Sequence, residues 1–520
     1  MLLHFERSYF LLLVLLILAS KVSAIEPVKL IEPVDKGPVW TNEDRAKLPP
    51  LPKALAPGLH HRRGCRTLFQ VPNDPFFIKQ WYFHNVGQPD EKGQIGIPGA
   101  DISLYPALSV FAPQREVVLA IVDSGLDLVH EDVSTEILWT NQGEIGTDEN
   151  GEDKSENGVD DDGNGYIDDI HGWNFVKDDN YVQDRHYHGT HVNGLLSAVA
   201  NNDVGLAGGF QPIKIMLIKI FGLGATANRD QIAKGIRYAA DNGASVVSCS
   251  FGSMYSNENI KSAIAYCDEK GILVCCAAGN SRKSLDVEFD YPSCYDQPNQ
   301  VIVSATDNRD LPSIFANFGS IVDIAAPGTN IFSLMPKSKY RSMSGTSQAC
   351  PMVAAAACLL MAQEPSLTHM EVKERLIKTA NKHTALKRWV TSAGRLDVYN
   401  LLTNRPGKPL PEEPEGQWIE REYALESKHP YAYDSDEHFV IEVPEAKFIR
   451  IHFMRFEVDK YSDYVEIAQE DGTVIEKINS PLGEIWTEPI PGSVVKLYLY
   501  SNHIVNAWGF QIDKLEYIAK

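Results

Sequence analysis

The feature that most limits how this chain can fold is a series of short, largely apolar runs separated by stretches of helical character. Residues 117–122 read Val-Val-Leu-Ala-Ile-Val, and comparable runs cover 213–219, 244–249, 271–277 and 300–305. A strand that is apolar at every position has both faces buried, which favours a parallel sheet under helices over a half-solvated antiparallel one. Between these runs, 188–200, 229–242 and 258–270 read as helices. The alternation predicts an α/β fold: a doubly wound, mostly parallel sheet with helices on both faces.

In such sheets the chemistry gathers at the carboxyl ends of the strands. The first run ends in Asp123, and His188 opens the next helical stretch. Gly345-Thr346-Ser347 delivers a serine to the first turn of a strongly apolar helix, 347–361. There the hydroxyl faces backbone N–H groups without helical partners and the positive end of the helix dipole, a setting suited to a developing oxyanion. A serine nucleophile needs a base and a group that orients the base. His188 and Asp123 supply them, in an Asp, His, Ser order that is one of those known for this template. A further buried run, 271–277, leads to Asn280, whose side-chain amide would donate a second hydrogen bond to the oxyanion. Each residue alone also reads as a turn or cap; the four together, each on the right kind of element, do not.

With these residues in place, 73–402 resembles the subtilisin-like serine endopeptidases (subtilases). Asn73–Gln88 is similar to the stretch that opens many mature domains of that family, and Ala325-Ala326-Pro327-Gly328-Thr329 and Gly394–Asn400 match later landmarks. The resemblance implies that Asp123, His188 and Ser347 form the triad, with Asn280 as oxyanion donor. It places Ser250-Phe251-Gly252 along the substrate-binding edge and Asp290 at the floor of the S1 pocket, where a carboxylate would favour Arg or Lys at P1. It also implies a structural calcium site at Asp132 and Asn202. Protein or peptide substrates follow, with a narrower kexin-like cleavage after basic residues as the alternative. A different class, a secreted binding protein using the fold only as scaffold, is the rival reading.

An acidic stretch lies between Asp123 and His188. Asp160, Asp162, Asn164, the carbonyl of Tyr166 and Asp168 follow the alternate spacing of an EF-hand-type Ca2+ loop, although position 171 is His and not Glu. Five carboxylates within 160–169 would repel one another without a cation. Similar acidic insertions occur in calcium-binding subtilases; the other reading is a solvated loop.

The N-terminus supplies a compartment. Arg7, an apolar run over 10–19 and the small residues of Val22-Ser23-Ala24 read as a secretory signal peptide, 1–24, with an uncleaved anchor as the alternative. A secreted or extracellular protein with no membrane association after signal cleavage is expected. Residues 25–63 are proline-rich and charged, with no evident helix or strand, and are short for the folded propeptide that secreted subtilases usually carry. Arg62-Arg63 reads either as a processing point or as a solvated pair. Of the eight cysteines, Cys249, Cys275, Cys276 and Cys358 sit in apolar runs and Cys350 follows the serine, leaving Cys65, Cys267 and Cys294 as disulfide candidates. The formal charge of -21 without a basic stripe argues against nucleic acid.

The catalytic unit is expected over 64–404. A proline-rich linker, 405–416, separates it from a region with different patterning. Within 417–520, short alternating runs at 439–443, 448–453, 464–467, 473–475 and 494–500 predict a smaller all-β sandwich domain. Phe456–Asp459, Ser462–Ile467 and the closing Trp508-Gly509-Phe510 resemble a CUB domain, which implies a protein or glycan ligand and a cation candidate at Asp459, Asp463 and Asn502.

Overall fold

The computed structural model describes residues 28–30, 35–47, 59–61, 68–210, 212–459, 462–479 and 483–520. The expected signal peptide, Arg62, Arg63 and Cys65 lie outside the described residues.

The apolar runs assemble into one nine-stranded sheet. In spatial order its strands are Asn381–Lys382, Gly394–Arg395, Ile324–Pro327, Gln300–Thr306, Leu273–Ala277, Val246–Cys249, Val117–Asp123, Ile213–Lys219 and Gly172–Asn174. Every neighbouring pair is parallel except the first. From Val117–Asp123 the sheet grows first to one side, through Ile213–Lys219, and then to the other, through Val246–Cys249. That reversal opens a crevice at the carboxyl end of the Val117–Asp123 strand.

Helices Arg229–Asp241 and Glu258–Glu269 pack together against one side of the sheet. The other side is covered by Thr346–Gln363, with His188–Ser197 packed against it. Thr346–Gln363 is buried from Thr346 to Ala362, and its run Ala354–Ala357 lets it lie close to the strands beneath. An all-round apolar helix can only be a core helix in a soluble fold.

The region after 418 forms two antiparallel sheets. A five-stranded sheet contains Ile419–Glu426, Gly509–Ala519 and Ala446–Glu457; a four-stranded one runs Asp436–Glu442, Val494–Tyr500, Tyr464–Gln469, Val474–Ile478. Ile451, Phe453, Phe510 and Leu515 from the first meet Ile441, Val465, Ile467 and Leu497 from the second in a core separate from that of the α/β unit. Residues 404–418 between the units have no regular structure.

Three features differ from the sequence reading. Ile419–Glu426 and Gly509–Ala519 are strands that it did not single out; the first is an edge strand with mostly exposed or half-exposed side chains, so its apolar alternation is weak. The N-terminal extension, read as irregular, contains strands Val28–Leu30 and Asp35–Trp40, both joined to sheets of the α/β unit. Finally, Cys267 and Cys294 are free thiols, Cys267 on the buried face of a helix, as are Cys249, Cys275, Cys276, Cys350 and Cys358. No helix among the described residues is long and apolar enough to cross a membrane.

Candidate active site

Asp123 is the last residue of its strand and His188 the first of its helix. His188 Nδ1 lies 2.9 Å from Asp123 Oδ1 and 3.0 Å from Oδ2, and both side chains are buried. The Ser124 N–H also donates to Asp123 Oδ1, at 2.7 Å. A carboxylate on Nδ1 fixes the imidazole tautomer and directs Nε2 outward as a base.

The helix start is bound to the aspartate loop by its own network. Ser124 Oγ accepts from the Gly189 N–H at 2.8 Å and donates to Asp184 at 3.0 Å; Asp184 accepts from the Thr190 N–H at 2.8 Å and from its hydroxyl at 2.6 Å. Loop and helix approach so closely that a Cβ on Gly189 would stand 2.2 Å from the Gly125 carbonyl oxygen. Gly125 itself has φ +101, a left-handed backbone, and a Cβ there would meet the Val182 carbonyl at 2.1 Å. The neighbouring His191 has a different role: burial pushes its pKa down to about 3, and the neutral ring bonds the Arg341 carbonyl at 3.0 Å.

Ser347 is the second residue of the helix Thr346–Gln363, fully buried, and its helix packs on that of His188. Pro351, four residues on, has no N–H to give the Ser347 carbonyl. That carbonyl instead accepts the Ser250 hydroxyl at 3.2 Å, tying the serine's backbone to the edge Ser250-Phe251-Gly252. Asn280, beyond the Leu273–Ala277 strand, accepts from the Thr346 N–H at 2.9 Å and the Thr346 hydroxyl at 3.0 Å, both on Oδ1. Oδ1 is thereby engaged as acceptor, and Nδ2 is the side chain's donor.

Strand Val28–Leu30 lies between Thr226–Ala227 and Phe251–Gly252, antiparallel to both. Lys29 faces Gly252, Leu30 faces Phe251, and the Leu30 N–H donates to the Ala225 carbonyl at 3.1 Å. Val28 and Leu30 are buried while Lys29 is exposed. On the other side of the serine, Asp35–Trp40 pairs with Lys339–Ser344, which ends three residues before Ser347. Asp290 sits beside the same edge: a Cβ on Gly252 would meet its Oδ1 at 2.7 Å, and a Cβ on Gly279 would meet its Oδ2 at 2.9 Å. Burial pushes the Asp290 pKa up to about 6, against the pull of Lys283.

Within the acidic stretch, Asp160 accepts from Gly163, Asn164 and Gly165 N–H groups at 2.8–3.1 Å, and Asp168 accepts from Gly158 N–H at 3.2 Å. The Tyr166 N–H is turned onto Asn164. Asp162 instead joins Asp169 and Glu144, with ligand-capable oxygens within 4.8 Å of one another. Glu144 is buried; Oε1 accepts from Asp161 and Asp162 N–H groups, whereas Oε2 has no hydrogen-bond partner among the described residues. Burial raises the pKa of both Glu144 and Asp169, and the neighbouring carboxylates add to it. A buried carboxylate with one oxygen lacking a donor, beside two other carboxylates, is the chemistry of a hard-cation site. Glu144 stands well before Asp162 in the chain and carries no spacing signal. Asp132 and Asn202 do come together, at 3.1 Å, but the second Asp132 oxygen accepts the Leu206 N–H at 2.7 Å, and burial pushes this carboxyl up to about 8.

The Subtilase family profile matches residues 114–400. Thermitase of Thermoactinomyces vulgaris is 37% identical over 332 residues, spanning 64% of this chain and 99% of thermitase. Subtilisin Savinase of Lederbergia lenta is 34% identical over 228 residues, 44% of this chain and 79% of that protein. Among solved structures, a protease of Pseudoalteromonas arctica aligns over 64% of this chain and 99% of its own, at 24% identity and a TM-score of 0.49.

The close approach at Gly189 makes a prediction. In Gly189→Ala the methyl must push the His188 helix away from Gly125, and a shift of about 1 Å costs roughly 10²-fold in rate. We expect kcat/KM on a peptide ester to fall by about that factor while circular dichroism stays native; unchanged kinetics would sink the argument.

Proposed function

The chain belongs to the subtilase family of serine endopeptidases, and on that premise we propose that Asp123, His188 and Ser347 are its triad and Asn280 its side-chain oxyanion donor. The observation that carries this reading is the His188 ring held on both oxygens of a buried Asp123, on a helix packed against the one that carries Ser347 in its first turn. Ser347 Oγ attacks the scissile carbonyl carbon as its proton passes to His188 Nε2. The resulting oxyanion takes hydrogen bonds from the Ser347 N–H and from Asn280 Nδ2. His188 then protonates the leaving amine, the C–N bond breaks, and water hydrolyses the acyl-enzyme by the same steps in reverse order of partners. Asp123 keeps Nδ1–H in place and stabilises the imidazolium throughout.

Strand Val28–Leu30 lies where a substrate would add as a strand, so in this reading the uncleaved chain is a zymogen silenced by its own extension. Asp290 at the S1 floor favours a basic P1 residue, the kexin-like alternative to broad cleavage. Calcium fits Glu144, Asp162 and Asp169, where it would neutralise three carboxylates and hold the insertion between Asp123 and His188. The two-sheet C-terminal unit is read as a CUB-like sandwich that binds a protein or glycan, and the apolar N-terminus as a secretion signal.

Four measurements follow from these assignments. Burying a Leu side chain is worth about 1.5–3 kcal/mol, so Leu30→Asp should raise peptide turnover by the intact chain roughly 10- to 100-fold; equal turnover would mean the strand does not block the cleft. In that opened chain a fluorophosphonate should label Ser347 and fail on Ser347→Ala. EGTA should lower the melting temperature by about 5 °C or more, and Glu144→Gln should abolish that response; an unaltered response would place the cation elsewhere. Asp290 is neutral below its pKa of about 6 and charged above it, so the ratio of kcat/KM for Arg-P1 over Leu-P1 peptides should drop as pH falls through 6. Because His188 titration affects both substrates alike, it cancels in the ratio; a flat ratio would remove Asp290 from specificity.

A further inference from the structure

Beside the acids that invited a metal, the Asp463 main-chain carbonyl accepts a cation that the chain itself supplies. Arg282 is buried, with a left-handed backbone at φ 52, and its Nη2 donates to the Asp463 carbonyl at 3.1 Å. Burial lowers its pKa to about 9, while the Asp459 and Asp463 carboxylates pull it back up, so it is charged at neutral pH. The Asp463 carboxylate is held by donors of its own unit, independently of the guanidinium. Asp463 is fully buried, with Oδ2 accepting the Tyr431 hydroxyl at 2.5 Å and Oδ1 accepting the Asn502 N–H at 3.0 Å and the Ser462 hydroxyl at 3.1 Å.

Arg282 belongs to the α/β unit and stands two residues after Asn280. On that side the same loop is stapled by Asn317, which is fully buried: its Oδ1 accepts from Ser281 and Lys283 N–H groups at 3.1 and 2.9 Å, and its Nδ2 donates to the Ala278 carbonyl at 2.8 Å. The Arg282 N–H donates to the Phe315 carbonyl at 2.9 Å. The segment 278–283 is thus gripped from two directions, and one of the grips comes from the C-terminal unit. A buried arginine is tolerated only where its partners are fixed, and removing one partner strands the other.

We propose that Arg282 is a positioning residue through which the Asp459/Asp463 socket of the C-terminal unit sets the loop that presents Asn280 to the oxyanion. The C-terminal unit then takes part in transition-state stabilisation without touching substrate. This rests on the reading of Asn280 as oxyanion donor, and a double-mutant cycle in the full-length chain opened by Leu30→Asp separates the two.

Asn280→Ala alone should lower kcat by about 10²- to 10³-fold. Arg282→Ala should lower kcat about tenfold with KM nearly unchanged, Arg282→Lys should recover part of the loss, and Arg282→Ala should cost nothing further in an Asn280→Ala background. If Arg282→Ala does not fold, Asp459→Asn, which removes one counter-charge from the other unit at constant size, takes its place in the cycle. An undiminished kcat in Asn280→Ala would remove the oxyanion reading and this proposal with it. A normal Asn280→Ala loss, combined with an Arg282 or Asp459 effect that is zero or fully additive, would overturn this proposal alone.

Discussion

The burial of the helix Thr346–Gln363 on all sides is the constraint from which the rest of the site follows. A helix that after its first three residues is Ala, Val, Leu, Met, Cys and one Pro up to Ala362 must be enclosed, and here it lies along the strands of the parallel sheet. Its N-terminus therefore emerges at the sheet's carboxyl edge, where Val117–Asp123 delivers its carboxylate and Leu273–Ala277 leads to Asn280. Pro351 is the one disturbance in that helix, and its cost is put to use. The carbonyl it cannot serve is taken by Ser250, so the nucleophile's backbone and the substrate-binding edge are fixed by a single hydrogen bond.

What was legible in the sequence follows the same logic. Wholly buried elements carry their environment in their composition, and the runs at 117–122, 213–219 and 300–305 became strands within a residue of their expected ends. Asp123, His188, Ser347 and Asn280 stood out as candidates because each lies at or just beyond the end of such an element. Elements whose partners supply the pattern were not. Val28–Leu30 and Asp35–Trp40 are strands only because sheet edges exist to receive them, and three and six residues are too few to show alternation under proline-rich composition. Glu144 was invisible for another reason. Its membership of the acidic cluster depends on how the chain between Asn141 and Asp169 doubles back, which linear spacing does not encode.

Buried charges in this molecule divide by how they are satisfied. Arg395 is fully buried yet complete, donating to the Gly99 and Leu396 carbonyls and pairing with Asp310 at 2.5 Å. Asp123 is complete once His188 and the Ser124 N–H are counted. Glu144 differs from both, with one oxygen that no donor among the described residues reaches. Desolvating a carboxylate without a partner costs more than the fold recovers from packing, so the group is either protonated or matched by an external cation. The sequence-level crowding of acids at 160–169 is for the most part resolved by backbone N–H groups turning onto Asp160, Asp162 and Asp168; the residue of that crowding is concentrated at Glu144, Asp162 and Asp169.

The same reasoning applies to the contact between the two units, and it gives the net negative charge a specific role. On the α/β side the contact is basic: Arg282, Arg309, Lys387 and Arg388. On the C-terminal side it is acidic: Asp463 beside Arg282, Glu466 held at both oxygens by Arg309 at 2.7 and 3.2 Å, and Glu488 at 2.8 Å from Lys387. Glu476 lies 3.7 Å from Arg388, and Lys477, a basic residue among these acids, is 3.6 Å from Glu466. Arg309–Glu466 is largely buried, whereas Lys387 and Arg388 are more than a third exposed; a buried pair returns little net stability after desolvation but penalises misaligned arrangements heavily. An interface made this way is a device for orientation more than for adhesion. Orientation is what a loop two residues from an oxyanion donor requires, since hydrogen bonds to a developing charge lose their value when displaced by a fraction of an ångström.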